Sequence, residues 1–210
     1  KMLKNGRVAE VKLVINKLRT KEDFARLIGN HFSTDSATVM QFITNNDSLQ
    51  PFGVDTSTFY VMIMQDTYLF YWDTPFKKVL TKLKSYQEKF WDDIDRRNKL
   101  QTKHLTDIEA YTLASIVGEE TNVVSDKYKI ASVYINRLAK EMPLQACPTI
   151  KFAMKDFTIT RIYEKYLSNP SPYNTYRKKG LPPGPICTPL PATIDIVLNA
   201  PNTNYLYFVA

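Results

Sequence analysis

The segment that decides the fold is an apolar helical stretch ending in two acids, LASIVGEET, which runs from Leu113 to Thr121. Its apolar residues recur at helical spacing, and Thr106 with Glu109 predicts a capping box that starts the helix. By the same spacing Glu120 lies on the apolar stripe, whereas Glu119 lies about 100° round the helix and is expected to face solvent. Acids at the C-terminal end of a helix oppose its dipole, which together with apolar surroundings raises a carboxyl pKa.

A half-buried acid that stays protonated near neutral pH is what general-acid cleavage of a glycosidic bond needs. The alternative that the residues leave open is a structural Glu120, satisfied by Arg137 or by a backbone amide. The chain has only two histidines, His31 and His104, which disfavours a Ser-His-Asp, Cys-His or histidine-rich metal mechanism. Any catalysis is therefore expected to depend on carboxylates.

The residues before this segment predict short strands and helices in alternation. The patterns indicate a strand at 8–15, helices that open at Thr20 and at Ser33 or Thr34, a strand with a turn over 58–71, and a long helix over 75–99. The first sixty residues are thus expected to form a strand-helix-helix-strand unit.

The residues after the segment predict more helix and then irregular structure. A helix is expected over 126–140, and seven of the twelve prolines lie between Pro170 and Pro191, where they predict an ordered or extended loop. The run from Tyr205 to Ala210 is typical of a strand cut short. The predicted fold class is therefore α+β: a small unit over residues 1–60, then a helix-rich α+β domain over residues 61–210 whose late strands follow the proline-rich loop.

Composition places the chain among ordinary folded proteins. Its 210 residues are 44% hydrophobic and 23% charged, which excludes disordered and fibrous classes. No apolar run approaches the roughly 18 residues of a membrane span, although both ends are consistent with boundaries inside a longer protein that has an anchor. The net charge of +7 favours an anionic partner such as nucleic acid, anionic lipid or cell-wall polymer. Because no nucleic-acid-binding motif is present, nucleic acid is the disfavoured partner.

A set of strings in the second half occurs in a familiar order and spacing: DTY at 66–68, LASIV with ET at 113–121, IASVYINRL at 130–138, LQ with PT at 144–149, YNTY at 173–176, GLPPGPI at 180–186 and YLYF at 205–208. With these strings the chain resembles the YceG-like, or MltG, family of endolytic murein transglycosylases over residues 66–210. By a weaker match of pattern, residues 1–60 resemble the LysM-like subdomain that precedes the family's catalytic domain. The His-containing segment that usually follows the final strand is not in this chain, which suggests a truncated C-terminus.

The resemblance implies an enzyme on a single-pass anchor in the bacterial cytoplasmic membrane, with its body outside that membrane. Such an enzyme cuts the β-1,4 bond between N-acetylmuramic acid and N-acetylglucosamine inside nascent glycan strands and leaves 1,6-anhydro ends, which ends strand elongation. The implied partners are peptidoglycan strands and the synthases that make them, with no nucleic acid and no metal or organic cofactor. The alternative is a catalytically inactive peptidoglycan-binding module on the same scaffold.

The resemblance also assigns site residues. The family motif commonly has two glutamates two positions apart; Glu120 matches the second and is the expected general acid, with Glu119 as the fallback, while Gly118 stands at the first. Polar and aromatic motif positions are the expected substrate-binding residues, namely Asn136, Gln145, Thr149, Tyr173, Asn174, Thr175 and Tyr176. Asn136 could instead cap or cross-link helices, and Tyr173 could simply pack.

Cys147 is a second departure, because the family often has an aspartate there. Together with Cys187 it lies beside the expected groove, so the two cysteines could form a disulfide in an oxidising compartment. Two free buried thiols are the default interpretation.

Overall fold

Two short strands pair because each alternates buried and exposed side chains. In the computed structural model, which describes residues 10–208, β1 (Glu10–Val14) runs antiparallel to β2 (Thr67–Tyr71), and Leu13 stands opposite Tyr68. Both of these side chains are fully buried, so one face of the pair packs on the core. Residues 8 and 9 of the predicted first strand lie outside the described residues.

Three helices follow β1 before the chain returns to β2. The expected capping box of Thr20 and Asp23 starts α1 (Lys21–His31), which confirms that prediction. The next helix, α2 (Ser36–Ile43), begins later than expected because Asp35, rather than Ser33 or Thr34, caps it by accepting a hydrogen bond from the Thr38 amide. A single turn, α3 (Asn46–Leu49), completes the unit. Because β2 lies beyond residue 60, the strand pair joins the two predicted units, 1–60 and 61–210. The boundary between these units stays a prediction.

The prediction of a strand with a turn over 58–71 is wrong in its first half. The Asp55 carboxylate accepts hydrogen bonds from the amides of Ser57 and Thr58, and this turn leads into a 3-10 helix at Phe59–Met62. Every residue from 59 to 64 is buried. A continuous apolar run carries no alternation that distinguishes a buried strand from a buried helical turn.

The predicted long helix over 75–99 is two helices. The first, α4 (Phe76–Trp91), ends at Asp92, and the second, α5 (Ile94–Lys103), begins after Asp93. The Asp93 side chain accepts a hydrogen bond from the Arg96 amide and so caps a new helix instead of continuing the old one.

The centre of the molecule is α6 (Asp107–Glu120). Thr106 and Glu109 form the expected capping box at its start, and all residues from 110 to 117 are buried. A helix that is apolar on every side must be covered on every side. It packs accordingly against α7 (Val124–Ala139), α8 (Cys147–Met154) and α10 (Pro191–Leu198).

The late strands predicted beyond the proline-rich loop are wrong for the described residues. After the short α9 (Glu164–Leu167) and the loop, the chain forms α10, with Pro191 in its first turn where a missing amide costs nothing. Residues 201–208 form neither helix nor strand, since side chains of α7 hold this segment instead of a partner strand. Residues 209 and 210 lie outside the described part. Within residues 10–208, every helix is too short or too polar to span a bilayer.

Candidate active site

Glu120 is the last residue of α6, where its carboxyl meets the neighbouring helix. The buried hydroxyl of Tyr134 on α7 donates a 2.5 Å hydrogen bond to Oε1 of Glu120. Burial raises the pKa of Glu120, and the negative charge of Glu119 raises it further, while the Tyr134 hydrogen bond and the charge of Lys151 act in the opposite direction. The net effect is an acid that holds its proton to higher pH than an exposed glutamate.

Tyr134 stays neutral and can act only as a hydrogen-bond partner. Burial raises its pKa well above the usual value, and the adjacent Glu120 adds to this effect. A neutral phenol stabilises a carboxylate after that carboxylate has given up its proton. The partner that satisfies Glu120 is therefore Tyr134, and not Arg137, whose guanidinium donates to the carbonyl oxygens of Leu144 and Leu206.

A groove of about 520 Å³ opens beside Glu120. One wall is formed by four side chains of α7, namely Asp126, Lys129, Ile130 and Val133. The other is formed by the irregular segment 201–208, through Tyr205, Tyr207 and Phe208. The rings of Tyr205 and Tyr207 are largely exposed. Exposed aromatic faces beside a partly buried acid suit a ligand with flat apolar faces and polar edges, as sugar rings have.

Two residues of α7 hold the aromatic wall in place. The Asn136 amide donates to the backbone oxygens of Thr203 and Tyr205, at 2.8 and 2.9 Å. Arg137 donates to the backbone oxygen of Leu206 at 2.7 Å and lies over the Tyr207 ring. Asn136 thus joins α7 to an irregular segment, a structural role different from the helix cap or helix cross-link that the sequence left open, and contact with substrate stays a prediction for it.

Glu119 does not face solvent, so that prediction is wrong. Its carboxylate binds Lys17 at 2.5 Å and Arg19 at 2.9 Å, and its side chain is 14% exposed. Both cations come from the segment after β1, which is held against the segment before α10 by hydrogen bonds between Leu18 and Thr188. Periodicity within one helix cannot reveal a cover that comes from a distant part of the chain.

Cys147 at the start of α8 contacts Tyr176 of the proline-rich loop. The Cys147 sulfur and the Tyr176 hydroxyl are 3.1 Å apart. Burial raises the pKa of Tyr176, with further contributions from Cys147 and from the charge of Glu120. Tyr176, one of the predicted substrate-binding residues, therefore lies near enough to Glu120 for the charge of that carboxyl to act on its hydroxyl.

Three other predicted binding residues are buried and hold the Tyr176 loop. The Asn174 amide donates to the backbone oxygens of Leu167 and Asn169 and accepts from the Tyr176 amide. The hydroxyls of Thr149 and Thr175 are 2.8 Å apart, and Thr175 also accepts from the Ala146 amide. These side chains position the loop, and a direct contact with substrate stays a prediction for each of them.

The remaining two predicted binding residues lie in different places. Gln145 is exposed next to α8, has a left-handed backbone with φ of 54°, and accepts a hydrogen bond from Arg137. Tyr173 lies on Phe152, with ring centroids 4.7 Å apart, and borders a separate groove. Gln145 thus lies exposed beside Arg137, whereas Tyr173 borders the other groove, and contact with substrate stays a prediction for both.

The two cysteines are free thiols, so the disulfide that the sequence allowed is not formed. Cys187 is buried against α6, 3.5 Å from the backbone oxygen of Ser115, and burial raises its pKa to about 12. Cys147 turns instead toward Tyr176. Among residues 10–208, no three His, Cys, Asp or Glu side chains form a group that could hold a metal ion.

The model of the YceG-like family matches residues 1–210, the whole chain. This protein belongs to the YceG-like family. The resemblance read from the sequence strings is thereby confirmed. A crystal structure of a yceG-like protein from Listeria monocytogenes superposes with a TM-score of 0.80 at 27% identity, covering 100% of this chain and 73% of that one.

Two relatives of this YceG-like chain carry a functional name. An endolytic murein transglycosylase of Bacillus subtilis (strain 168) is 39% identical over 137 residues, which are 64% of this chain and 35% of the relative. An endolytic murein transglycosylase of Streptococcus pneumoniae serotype 2 is 35% identical over 115 residues, 53% of this chain and 21% of the relative. The matched part thus spans about a third and about a fifth of these relatives.

Two positions where this YceG-like chain departs from the motif have a structural context. A side chain at Gly118 would point at Thr193 of α10, because a Cβ there would lie 3.7 Å from the Thr193 methyl. The position of the first motif glutamate thus faces α10, which does not line the groove beside Glu120. Cys147, at the position of the motif aspartate, keeps a polar partner in Tyr176.

The sequence does not predict Tyr134 as part of the site. It also does not predict that Lys17 and Arg19 cover Glu119. Tyr134 lies in a matched string, four positions after the buried Ile130, and that spacing could have placed it on the face of α7 that meets α6. No local signal marks Lys17 and Arg19, because they reach Glu119 across about a hundred residues.

Proposed function

We propose that this chain is the catalytic part of an endolytic lytic transglycosylase that cuts peptidoglycan glycan strands, with Glu120 as its acid. The observation that carries the proposal is the partly buried Glu120 carboxyl, hydrogen-bonded to Tyr134 beside an aromatic groove, in a chain of the YceG-like family. The relatives named endolytic murein transglycosylases support the same reaction class.

The reaction needs one carboxyl acting twice. Glu120 first gives its proton to the oxygen that links N-acetylmuramic acid to N-acetylglucosamine, and the bond from muramic C1 to that oxygen breaks. An oxocarbenium-like state forms at C1, and Tyr134 stabilises the new carboxylate through its hydrogen bond. The muramic C6 oxygen then bonds to C1 while its proton passes to Glu120. The products are a 1,6-anhydro end and a new free sugar hydroxyl, and no water is consumed.

The pKa of Glu120 suits this cycle. A general acid must be protonated when substrate arrives, and burial raises the pKa of Glu120 in that direction. The carboxylate formed in the first step must then accept a proton, which a raised pKa also favours. A single essential carboxyl distinguishes this scheme from the two-carboxylate arrangement of ordinary glycoside hydrolases.

The cellular setting is part of the proposal. Cleavage of nascent strands would end their elongation, so the enzyme would work beside peptidoglycan synthases at the outer face of the bacterial cytoplasmic membrane. By resemblance to the family, a single-pass membrane anchor would hold the enzyme at that location. Residues 1–60 would serve as a LysM-like subdomain and residues 61–210 as the catalytic domain.

Mass spectrometry of products from uncrosslinked glycan strands tests the proposal. The parent protein, Glu120→Gln and Glu119→Gln are compared, each checked for folding by circular dichroism. Anhydro-ended fragments from the parent and Glu119→Gln but not from Glu120→Gln are expected. Anhydro fragments from Glu120→Gln at the parent rate would move the acid elsewhere.

Two other results would overturn the proposed chemistry. Fragments heavier by one water, with reducing ends, would identify a hydrolase instead of a transglycosylase. No cleavage by folded parent protein, combined with retained binding of strands, would identify the peptidoglycan-binding module.

A further inference from the structure

A second groove, of about 370 Å³, lies between the start of α1 and the end of α8. We call it the distal groove and define it by three aromatic and three basic wall residues, Phe152, Phe157, Tyr173, Arg19, Lys21 and Lys155. It is separate from the groove beside Glu120, with which it has no wall residue in common. Its walls come from two distant parts of the chain, residues 19–60 and residues 152–185.

The aromatic side of the distal groove offers ring surface. Phe152 lies between Tyr173, at 4.7 Å, and Phe157, at 6.5 Å between ring centroids. All three side chains are only partly buried, so part of each ring is available to a ligand. Partly exposed rings grouped in a concave site bind the apolar faces of a sugar or the methyl groups of a peptide.

The opposite side is positively charged. Lys21 is drawn partly into the protein, and this burial lowers its pKa against the attraction of Asp55 and Glu22. Lys155 is exposed beside it, and the two cations are close enough for their charges to repel. Among the wall residues Glu22 is the one acid. Because Arg19 is paired with Glu119, the wall cations left for a ligand are Lys21 and Lys155, against the one wall carboxylate. This excess of positive charge attracts an anionic ligand.

One polar group of the wall has an unmet hydrogen bond. Tyr60 borders the distal groove and is 5% exposed, and its hydroxyl has no hydrogen-bond partner among residues 10–208. A buried hydroxyl without a partner costs about 1–3 kcal/mol. A ligand with a carbonyl or carboxylate oxygen at this wall would remove that cost.

The distal groove shares two wall residues with a smaller cavity beside Glu119. Arg19 and Phe157 also border a small cavity of about 230 Å³ whose other walls include Glu119 and Lys151. Arg19 binds Glu119, the neighbour of the expected acid, and the charge of Lys151 reaches Glu120. The small cavity therefore places the distal groove on the Glu119 side of the end of α6, next to the expected acid.

We propose that the distal groove binds a peptide-bearing N-acetylmuramic acid unit of the same glycan strand, at a distance from the bond that is cut. The sugar lies against the aromatic rings, and the carboxylates of its acidic peptide lie at Lys21 and Lys155. This inference rests on the proposed function, since it takes the ligand to be a peptidoglycan strand. It makes the peptide branch a determinant of which strands are bound.

Isothermal titration with two probes tests this assignment. The probes are an N-acetylmuramyl tetrapeptide with free carboxylates and the same compound with every carboxylate amidated. The parent chain is compared with Lys21→Gln and Lys155→Gln, which remove charge from the distal groove. Lys89→Gln is the matched control, because Lys89 is exposed on α4 outside this groove and its loss changes the net charge equally.

The acidic probe is expected to bind the parent and Lys89→Gln more tightly than the amidated one. Each distal variant is expected to lose about threefold or more of the affinity for the acidic probe, as for a lost ion pair at a partly exposed site. Equal affinity for the two probes, no binding of either, or an equal loss in Lys89→Gln would overturn the assignment. Equal affinity of the parent for the two probes overturns the assignment even if a variant does not fold.

The failure of this inference is distinguishable from failure of the proposed function. Strand cleavage that requires Glu120, together with no preference for the acidic probe, would remove the distal groove assignment alone. Tight, Lys21-dependent binding of the acidic probe by a chain that cuts no strand would remove the enzyme and leave the binding site.

Discussion

The Tyr134 hydroxyl and the Glu120 carboxylate form a 2.5 Å hydrogen bond that joins α7 to the end of α6. The bond acts on the acid in the direction opposite to burial. Burial raises the pKa of Glu120, whereas this hydrogen bond stabilises the ionised form and lowers it. The hydrogen bond thereby keeps Glu120 from becoming too weak an acid to give up its proton. After proton transfer, the Tyr134 hydroxyl stabilises the negative charge on the Glu120 carboxylate.

Tyr134→Phe is expected to move the pH profile of strand cleavage. A general acid acts when protonated, so kcat/KM falls as pH rises through its pKa. Loss of the hydrogen bond raises the pKa of Glu120, which shifts this falling limb to higher pH. The profile is measured from initial rates with glycan strands, and Tyr128→Phe on the same helix is the control. A limb that stays in place or moves to lower pH would contradict the assignment.

Glu119→Gln is expected to shift the same limb to lower pH. Burial is the main cause of the raised pKa of Glu120, but the charge of Glu119 adds to it, so its removal lets Glu120 ionise earlier. The variant also loses its ion pairs with Lys17 and Arg19, at an expected cost of about 1 kcal/mol in the free energy of unfolding. Urea denaturation measures this cost, which should shrink in high salt.

Glu88→Gln is the matched control for that experiment. Glu88 is exposed on α4, pairs with Lys84 one turn away, and changes the net charge by the same amount. The falling limb of the kcat/KM profile of Glu88→Gln should coincide with that of the parent. A shift of the same size in both variants would show that net charge, and not the proximity of Glu119, moves the pKa.

Local patterns predicted the parts of this molecule that are local. The Thr106 and Glu109 capping box, the apolar core of α6 and the inward position of Glu120 all follow from spacing within one helix. The Asp93 cap that divides α4 from α5 was also visible in the sequence, but the apolar stripe continues across it and outweighed it. Helix α10 was missed because the prolines before it dominated the pattern, although Pro191 at a first turn is compatible with helix.

The contacts that complete the site lie outside such patterns. Lys17 and Arg19 reach Glu119 across about a hundred residues, and Arg137 holds Leu206 across 69. Helical spacing places Glu119 on the outer side of α6 but says nothing of what covers that side. Likewise, a free pair of cysteines and a bonded pair are identical in sequence, and only their separate contacts with Tyr176 and Ser115 distinguish them.

Selective labelling of Cys147 is expected from these contacts. Cys187 is buried, and burial raises its pKa to about 12, so its reactive thiolate is rare at neutral pH. Cys147 is partly exposed. Iodoacetamide followed by mass spectrometry should therefore give one modified cysteine in the folded chain, at Cys147, and two in denaturant. A chain that stays unmodified under both conditions until it is reduced would contain the disulfide instead.

Gly118→Ala is expected to stabilise the protein without changing its chemistry. Glycine inside a helix costs about 0.5–1 kcal/mol relative to alanine, and the added methyl would meet Thr193 at an ordinary 3.7 Å. Gly184→Ala is the opposite control, because its Cβ would lie 2.1 Å from the Ser57 backbone oxygen, and a large loss of stability should follow. Urea midpoints measure both.

Gly118→Glu tests whether the first motif glutamate has a part in catalysis here. A side chain at residue 118 points toward Thr193, on the side of α6 that packs against α10. We therefore expect cleavage by Gly118→Glu to remain dependent on Glu120, so that adding Glu120→Gln abolishes it. Cleavage that survives in the double variant but not in Glu120→Gln alone would show that a carboxyl at residue 118 reaches the substrate, and the direction of that side chain would then have to be revised.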